Sequence, residues 1–179
     1  MKNKRSVSGN ENQMAGDIVD LILDDHKDLK RLIKVLKNDD ADLGDRYAAF
    51  EEFAPLLILH AKPEEQTLYA EMKDDNELRS EGMEGEIEHQ IADRLLNEAK
   101  ETTDEDMWSA KVKVLAELVE HHIKEEESTL LPDYKKHSDV QDRIQLGERF
   151  MALKSSIGME DPMFAGQQVQ SESQYPSIH

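Results

Sequence analysis

The chain has 179 residues, of which 37% are hydrophobic, 35% charged and 5% aromatic, and its formal net charge is -18. That length suits one domain with a proper core, and a charged composition with few aromatics, glycines or prolines suits amphipathic helices better than sheet. The charge excludes nucleic acid and anionic membrane as partners, no apolar run approaches the roughly 20 residues of a membrane span, and the absence of cysteine excludes disulfides, thiolate ligands and iron–sulfur clusters.

Lys2, Lys4 and Arg5 are followed by the polar stretch 6–16, which lacks the apolar centre of a secretory signal. Residues 1–16 are expected to form a flexible tail, and the protein to be soluble and cytoplasmic. Asp17 caps a first helix through about Asn38, with Ile18, Ile22, His26, Leu29, Ile33 and Leu36 on one stripe. An acidic turn leads to a second helix, about Gly44 to Lys73, whose inner positions are Phe50, Phe53, Leu57, His60, Glu64 and Leu68. Pro55 and Pro63 each remove a backbone donor from it, so a kink is expected beside Glu64.

A third helix spans about Glu77 to Glu101 and a fourth about Asp104 to Lys136. In the fourth, Trp108, Val112, Leu115, Val119, His122, Glu126 and Thr129 alternate steps of four and three along the buried seam. A charged Glu on that seam is costly unless paired or bound to metal. A fifth helix, about Val140 to Ser155, carries Ile144, Leu146, Phe150 and Leu153. Short connections make neighbours antiparallel. The expected fold is all-α, an up-down-up-down four-helix bundle over 17–157 with an additional C-terminal helix and a loose tail over 158–179.

Two phrases recur along this frame. His60-Ala-Lys-Pro-Glu64-Glu65-Gln-Thr-Leu68 and His122-Ile-Lys-Glu-Glu126-Glu127-Ser-Thr-Leu130 agree at six of nine positions, 62 residues apart. A weaker echo pairs Asp25-His26 with Glu88-His89, and Arg31 with Arg94, at an offset of 63. Residues four apart share a helix face, so each copy aims one imidazole and one carboxylate at a common point. Two facing copies supply four His and two Glu, a ligand set for two cations. The simplest assignment puts His26 and His60 on one, His89 and His122 on the other, with Glu64 and Glu126 bridging and perhaps a shared oxo or hydroxo group. Imidazole and carboxylate without thiolate suit iron or manganese, with zinc as a further candidate. Open positions on a redox metal suit dioxygen, nitric oxide or peroxide.

These residues resemble the hemerythrin-like HHE cation-binding family over roughly Asp17 to Lys136. Its pattern is His on the first helix, His-x-x-x-Glu on the second, His on the third and His-x-x-x-Glu/Asp on the fourth. The resemblance implies a four-helix bundle around two non-haem, carboxylate-bridged iron ions held by His26, His60, Glu64, His89, His122 and Glu126. It also implies binding or sensing of a small diatomic ligand, or, alternatively, an iron enzyme or iron-handling repair factor acting on nitric oxide or peroxide. The oxygen-carrying members have a further His at the position of Gly85, and their last carboxylate follows its His at a spacing of five. The set here is closer to repair-type and bacterial HHE domains.

Other readings of single residues are plainer. Glu65 and Glu127 read as carboxylates that steady ligand histidines, His121 as exposed or supporting, and His137 and His179 as surface residues. Tyr69 and Leu131 read as packing residues. Gly82, Gly85 and Ala92 are expected to leave a small cavity beside the metals. Glu86-x-x-His89 matches half of a ferritin-type motif, but no second Glu-x-x-His exists. A metal-free helical interaction protein is the remaining class.

Overall fold

The computed structural model describes residues 16–160, so the tails expected over 1–16 and 158–179 lie outside them except for Gly16 and 158–160. Seven α-helices and one π turn make up the described chain: α1 (Ile18–Leu36), α2 (Leu43–Gln66), α3 (Leu68–Asp74), α4 (Arg79–Glu101), α5 (Glu105–Glu125), the π turn (Glu126–Leu130), α6 (Leu131–His137) and α7 (Val140–Glu160). Among the described residues there is no strand, and no helix is long and apolar enough to cross a membrane. α1, α2–α3, α4 and α5–α6 form the antiparallel bundle, and α7 lies against α1 and α2.

The caps follow the sequence. The Asp17 side chain accepts from the Val19 amide at 2.9 Å and Asp104 from Met107 at 2.8 Å, satisfying amides that a helix start leaves free. Asp17 also accepts from Arg143 Nε at 2.7 Å, which ties the start of α7 to the start of α1. At that junction a Cβ on Gly147 would stand 2.1 Å from the Gly16 carbonyl oxygen, so only glycine permits the approach. α7 continues past Gly158 to Glu160, five residues beyond the helix end expected from the sequence.

Both repeated phrases interrupt their helix, in different ways. α2 continues as helix past Pro55 and Pro63 and breaks at Thr67 (φ -122°, ψ -86°), four residues beyond Pro63. Thr67 Oγ1 donates to the Pro63 carbonyl at 2.7 Å, and its amide bonds the Glu64 carbonyl, which tightens the last turn. In the second copy the chain stays helical but takes one wide π turn beginning at Glu126. That extra residue shifts the buried phase: Thr129, expected inside, is exposed, and Leu130, Leu131 and Tyr134 enter the core instead.

The core falls into two apolar clusters. One holds Leu29, Ile33, Leu36, Phe50, Phe53, Leu57, Leu96, Trp108, Val112 and Leu115. The other holds Ile18, Ile22, Leu68, Tyr69, Met72, Leu131, Tyr134, Leu146 and Phe150. Along α1, His26 sits between Ile22 of the second cluster and Leu29 of the first. The polar layer is thus sealed above and below by hydrocarbon.

Candidate metal centre

His26, His60, Glu64, His89, His122 and Glu126 are all buried, at 0–4% exposure. The backbone brings them together as two overlapping groups, His60–Glu64–His89–His122 and His26–His60–Glu126, each with one donor atom per residue within 4.8 Å of the others. The inner contacts run through Nε2: His26 to Glu126 at 3.0 Å, His60 to Glu64 at 3.4 Å, His122 to Glu126 at 3.5 Å and His89 to Glu64 at 3.7 Å. His89 and His122 face each other Nε2 to Nε2 at 2.9 Å. Two imidazoles at right angles on one ion, each about 2.0–2.1 Å from it, stand about 3 Å apart.

The other nitrogen of every ring faces outward to a carboxylate on the next helix. Nδ1 of His26 meets Glu127 at 3.1 Å and that of His122 meets Glu88 at 2.6 Å. Nδ1 of His60 lies 3.7 Å from Asp25, and that of His89 lies 3.5 Å from Glu65. A carboxylate accepts only, so it favours the proton on Nδ1 and leaves the Nε2 lone pair directed inward, as a cation requires. The arrangement repeats: the residue before one ligand His (Asp25, Glu88) and the residue after each inner Glu (Glu65, Glu127) supply the outer carboxylates. Three of these carry a lysine, Lys154 on Asp25, Lys62 on Glu65 and Lys30 on Glu127.

The protonation states fit a site awaiting positive charge. Burial, then the facing Glu126 carboxylate, hold the Glu64 carboxyl well above the usual range. Burial pushes Glu126 in the same direction, but His122 and His26 outweigh it and hold it low. Burial lowers His60 to about 4 against the pull of Asp25. His26 Nε2, His60 Nε2, both oxygens of Glu64 and Glu126 Oε2 are buried without a hydrogen-bond partner. The 3.0 Å approach of His26 to Glu126 is too poorly angled to count as one. Orphaned buried polar groups cost about 1–3 kcal/mol each, and two inward-facing carboxylates with four imidazole lone pairs are what divalent iron or a similar cation would satisfy.

A family model describing the hemerythrin HHE cation-binding domain matches residues 17–134. This chain belongs to the hemerythrin HHE family. No curated protein and no solved structure gives a match. In this HHE domain the matched span takes in every residue of the inner cluster and all four outer carboxylates.

One expectation needs correction and another is met in part. Tyr69 does more than pack: its ring is fully buried, and its hydroxyl donates to Glu126 Oε1 at 2.6 Å and lies 3.2 Å from His122 Nε2. Burial, then the charges of Glu126 and Glu64, hold this phenol well above its usual pKa, so it serves as a donor. The space directly against the Cα atoms of Gly82 and Gly85 is filled, although Gly85 also lines a depression that reaches His122 and Glu126. A Cβ at Gly85 would stand 2.7 Å from Tyr69 Cζ, and one at Gly82 would stand 2.9 Å from Met72 Cβ. Where oxygen carriers place a further imidazole, this chain places the Tyr69 hydroxyl. On the Ala92 side lies a cavity of about 20 Å³, lined mainly by Leu57, Ala61, Ala92, Leu96 and Val119, with Lys62, Glu88 and Asp93 also in its wall, and reaching His89 and His122.

The peripheral histidines behave as surface groups. His121 is exposed beside Glu125 at 3.3 Å, and His137 bonds Glu77 at 2.9 Å. Glu86 pairs with Lys73 away from the cluster. His179 lies outside the described residues. Sequence reasoning misses Asp25 and Glu88 as contributors, although each stands directly before a clustered His in the weaker echo.

Proposed function

We propose that this HHE domain holds two non-haem iron ions and binds or senses a neutral diatomic ligand, dioxygen or nitric oxide. His26 and Glu126 would hold one ion and His89, His122 and Glu64 the other, with His60 within reach of both. Iron so held supplies open coordination positions for a small ligand. The observation that carries the reading is the cavity at His89 and His122. A volume of about 20 Å³ accommodates one water-sized molecule. Its walls are mostly Leu, Ile, Ala and Val, with Lys62, Glu88 and Asp93 also lining it, and that apolar majority favours an uncharged guest over an ionic substrate. The outer carboxylates hold His26 and His122 by hydrogen bonds and stand 3.7 and 3.5 Å from His60 and His89, and the two apolar clusters close the layer above and below.

A second reading, an iron enzyme or iron-handling factor acting on nitric oxide or peroxide, draws on Tyr69, which sets a proton donor beside the centre. Metal analysis of the purified and iron-reconstituted protein is the first test, with two irons per chain expected. Spectra of the reduced, loaded protein under dioxygen or nitric oxide are the second. A stable, reversible change supports binding, and sustained consumption of nitric oxide or peroxide supports the enzyme. A protein that takes up no iron refutes both.

A further inference from the structure

A second depression reaches the same centre from another side, and its chemistry is opposite. It lies between α4 and the α5–π-turn junction, encloses about 220 Å³, and is lined by Glu81, Glu84, Gly85, Glu88, Glu125, Thr129 and Leu130, with His122 and Glu126 also in its wall. Five of those side chains are carboxylates, and none is Lys or Arg. Acidic residues alone mark no site, but the innermost one here is Glu126, 1% exposed, whose Oε2 has no hydrogen-bond partner.

Glu88 distinguishes this side further. The other three outer carboxylates are each neutralised by a lysine, whereas among the described residues Glu88 pairs only with His122. Glu88 also belongs to a third group of potential donors, with His121 and Glu125, whose atoms lie within 4.8 Å of one another at the rim. One carboxylate therefore touches an inner ligand at 2.6 Å and an outer cluster as well.

We propose that this cleft is the loading path for divalent cations, and that Glu88, His121 and Glu125 form a transit site at its mouth. A hydrated cation is concentrated by the uncompensated carboxylates, since a cleft lined by one sign of charge raises local counter-ion concentration and arrival rates by about 10- to 1000-fold. It exchanges part of its water for Glu88, His121 and Glu125, then passes to Glu126 and His122. No redox step is involved. The apolar cavity and the acidic cleft thereby divide the traffic, neutral guests by one and cations by the other. This rests on the reading that the inner cluster takes metal.

The test uses the full chain, freed of metal and mixed anaerobically with Fe²⁺, with uptake followed by quenching into a chelator. Glu84→Gln/Glu125→Gln should load at least about tenfold more slowly at low salt with a weaker salt dependence of the rate, His121→Ala should load markedly more slowly with the wild-type salt dependence, and both should reach the same final iron content. Wild-type protein with its inner cluster filled by Co²⁺ should bind one further Mn²⁺, seen by electron paramagnetic resonance and lost in His121→Ala. Glu51→Gln/Glu101→Gln, which removes equal charge outside the cleft, should load at the wild-type rate. Loading within twofold of wild type in the cleft variants, or equal slowing in the control, overturns the proposal. So does a third ion that survives His121→Ala. Wild-type protein that loads no metal at all overturns instead the reading of the inner cluster.

Discussion

Replacing Gly85 by alanine sets two effects against each other. Alanine in a helix interior is favoured over glycine by about 1 kcal/mol. The new Cβ, however, would meet Tyr69 at 2.7 Å to Cζ, 2.8 Å to the hydroxyl oxygen and 3.1 Å to Cε2, and that ring is fully buried. Overpacking of this kind costs about 1–3 kcal/mol. Moving the ring also breaks the 2.6 Å bond to Glu126, a hydrogen bond to a charged group worth about 1.5–3 kcal/mol. The net expectation is a loss of about 1.5–5 kcal/mol, or roughly 3–20 °C in melting temperature for a domain of this size. Thermal melts of the metal-free protein by circular dichroism read it directly. In a Tyr69→Leu background the clashing atoms are gone, and Gly85→Ala should stabilise by about 0.5–1 kcal/mol. A stabilising Gly85→Ala in the wild type, or the same cost in both backgrounds, would refute the account of Tyr69 as the group that fills this space.

Ala92→Leu should occupy the cavity beside His89 and His122 and slow binding of dioxygen or nitric oxide by the reduced, iron-loaded protein, with iron content unchanged; stopped-flow absorbance checks it, and an unaltered rate would exclude that route. His60→Ala should lower iron content and remove the rise in melting temperature that bound metal confers by linkage. Proton release offers a third check. Glu64 is held high by burial and by Glu126, so its contribution to metal-free stability is complete below the ordinary Glu range and lost as pH climbs through the raised value. His60 acts oppositely, its share being lost as pH falls from 6.5 through about 4. A bound cation favours the ionised Glu64 carboxylate, so Co²⁺ titration should release more protons from wild type than from Glu64→Gln, counted calorimetrically in two buffers. Equal release would contradict the assignment.

The helices and the meeting of six polar side chains were legible because both rest on periodicity. Ile22, His26, Leu29 and Ile33 share one stripe, and Glu126 stands out because a carboxylate occupies a seam position. What escaped depends on departures from ideal helix. No breaker marks Glu126-Glu127-Ser128-Thr129-Leu130, so the π turn and the exchange of Thr129 for Leu130 inside the core could not be read from spacing. Pro63 pointed to a distortion, but the chain breaks at Thr67, and that break carries Tyr69 round to Glu126. Asp25 and Glu88 act across helix boundaries, on His60 and His122, and no pattern within one helix reveals such a partnership.

The outer carboxylates close a circuit: α1 serves α2 through Asp25, α2 serves α4 through Glu65, α4 serves α5 through Glu88, and the π turn serves α1 through Glu127. During synthesis, a chain that has emerged only through α4 owns three of the imidazoles but neither Glu126 nor Glu127. His26 then lacks both its inner and its outer carboxylate. The centre is therefore complete only once the last bundle helix has arrived, since α5 and the π turn bring His122, Glu126 and Glu127.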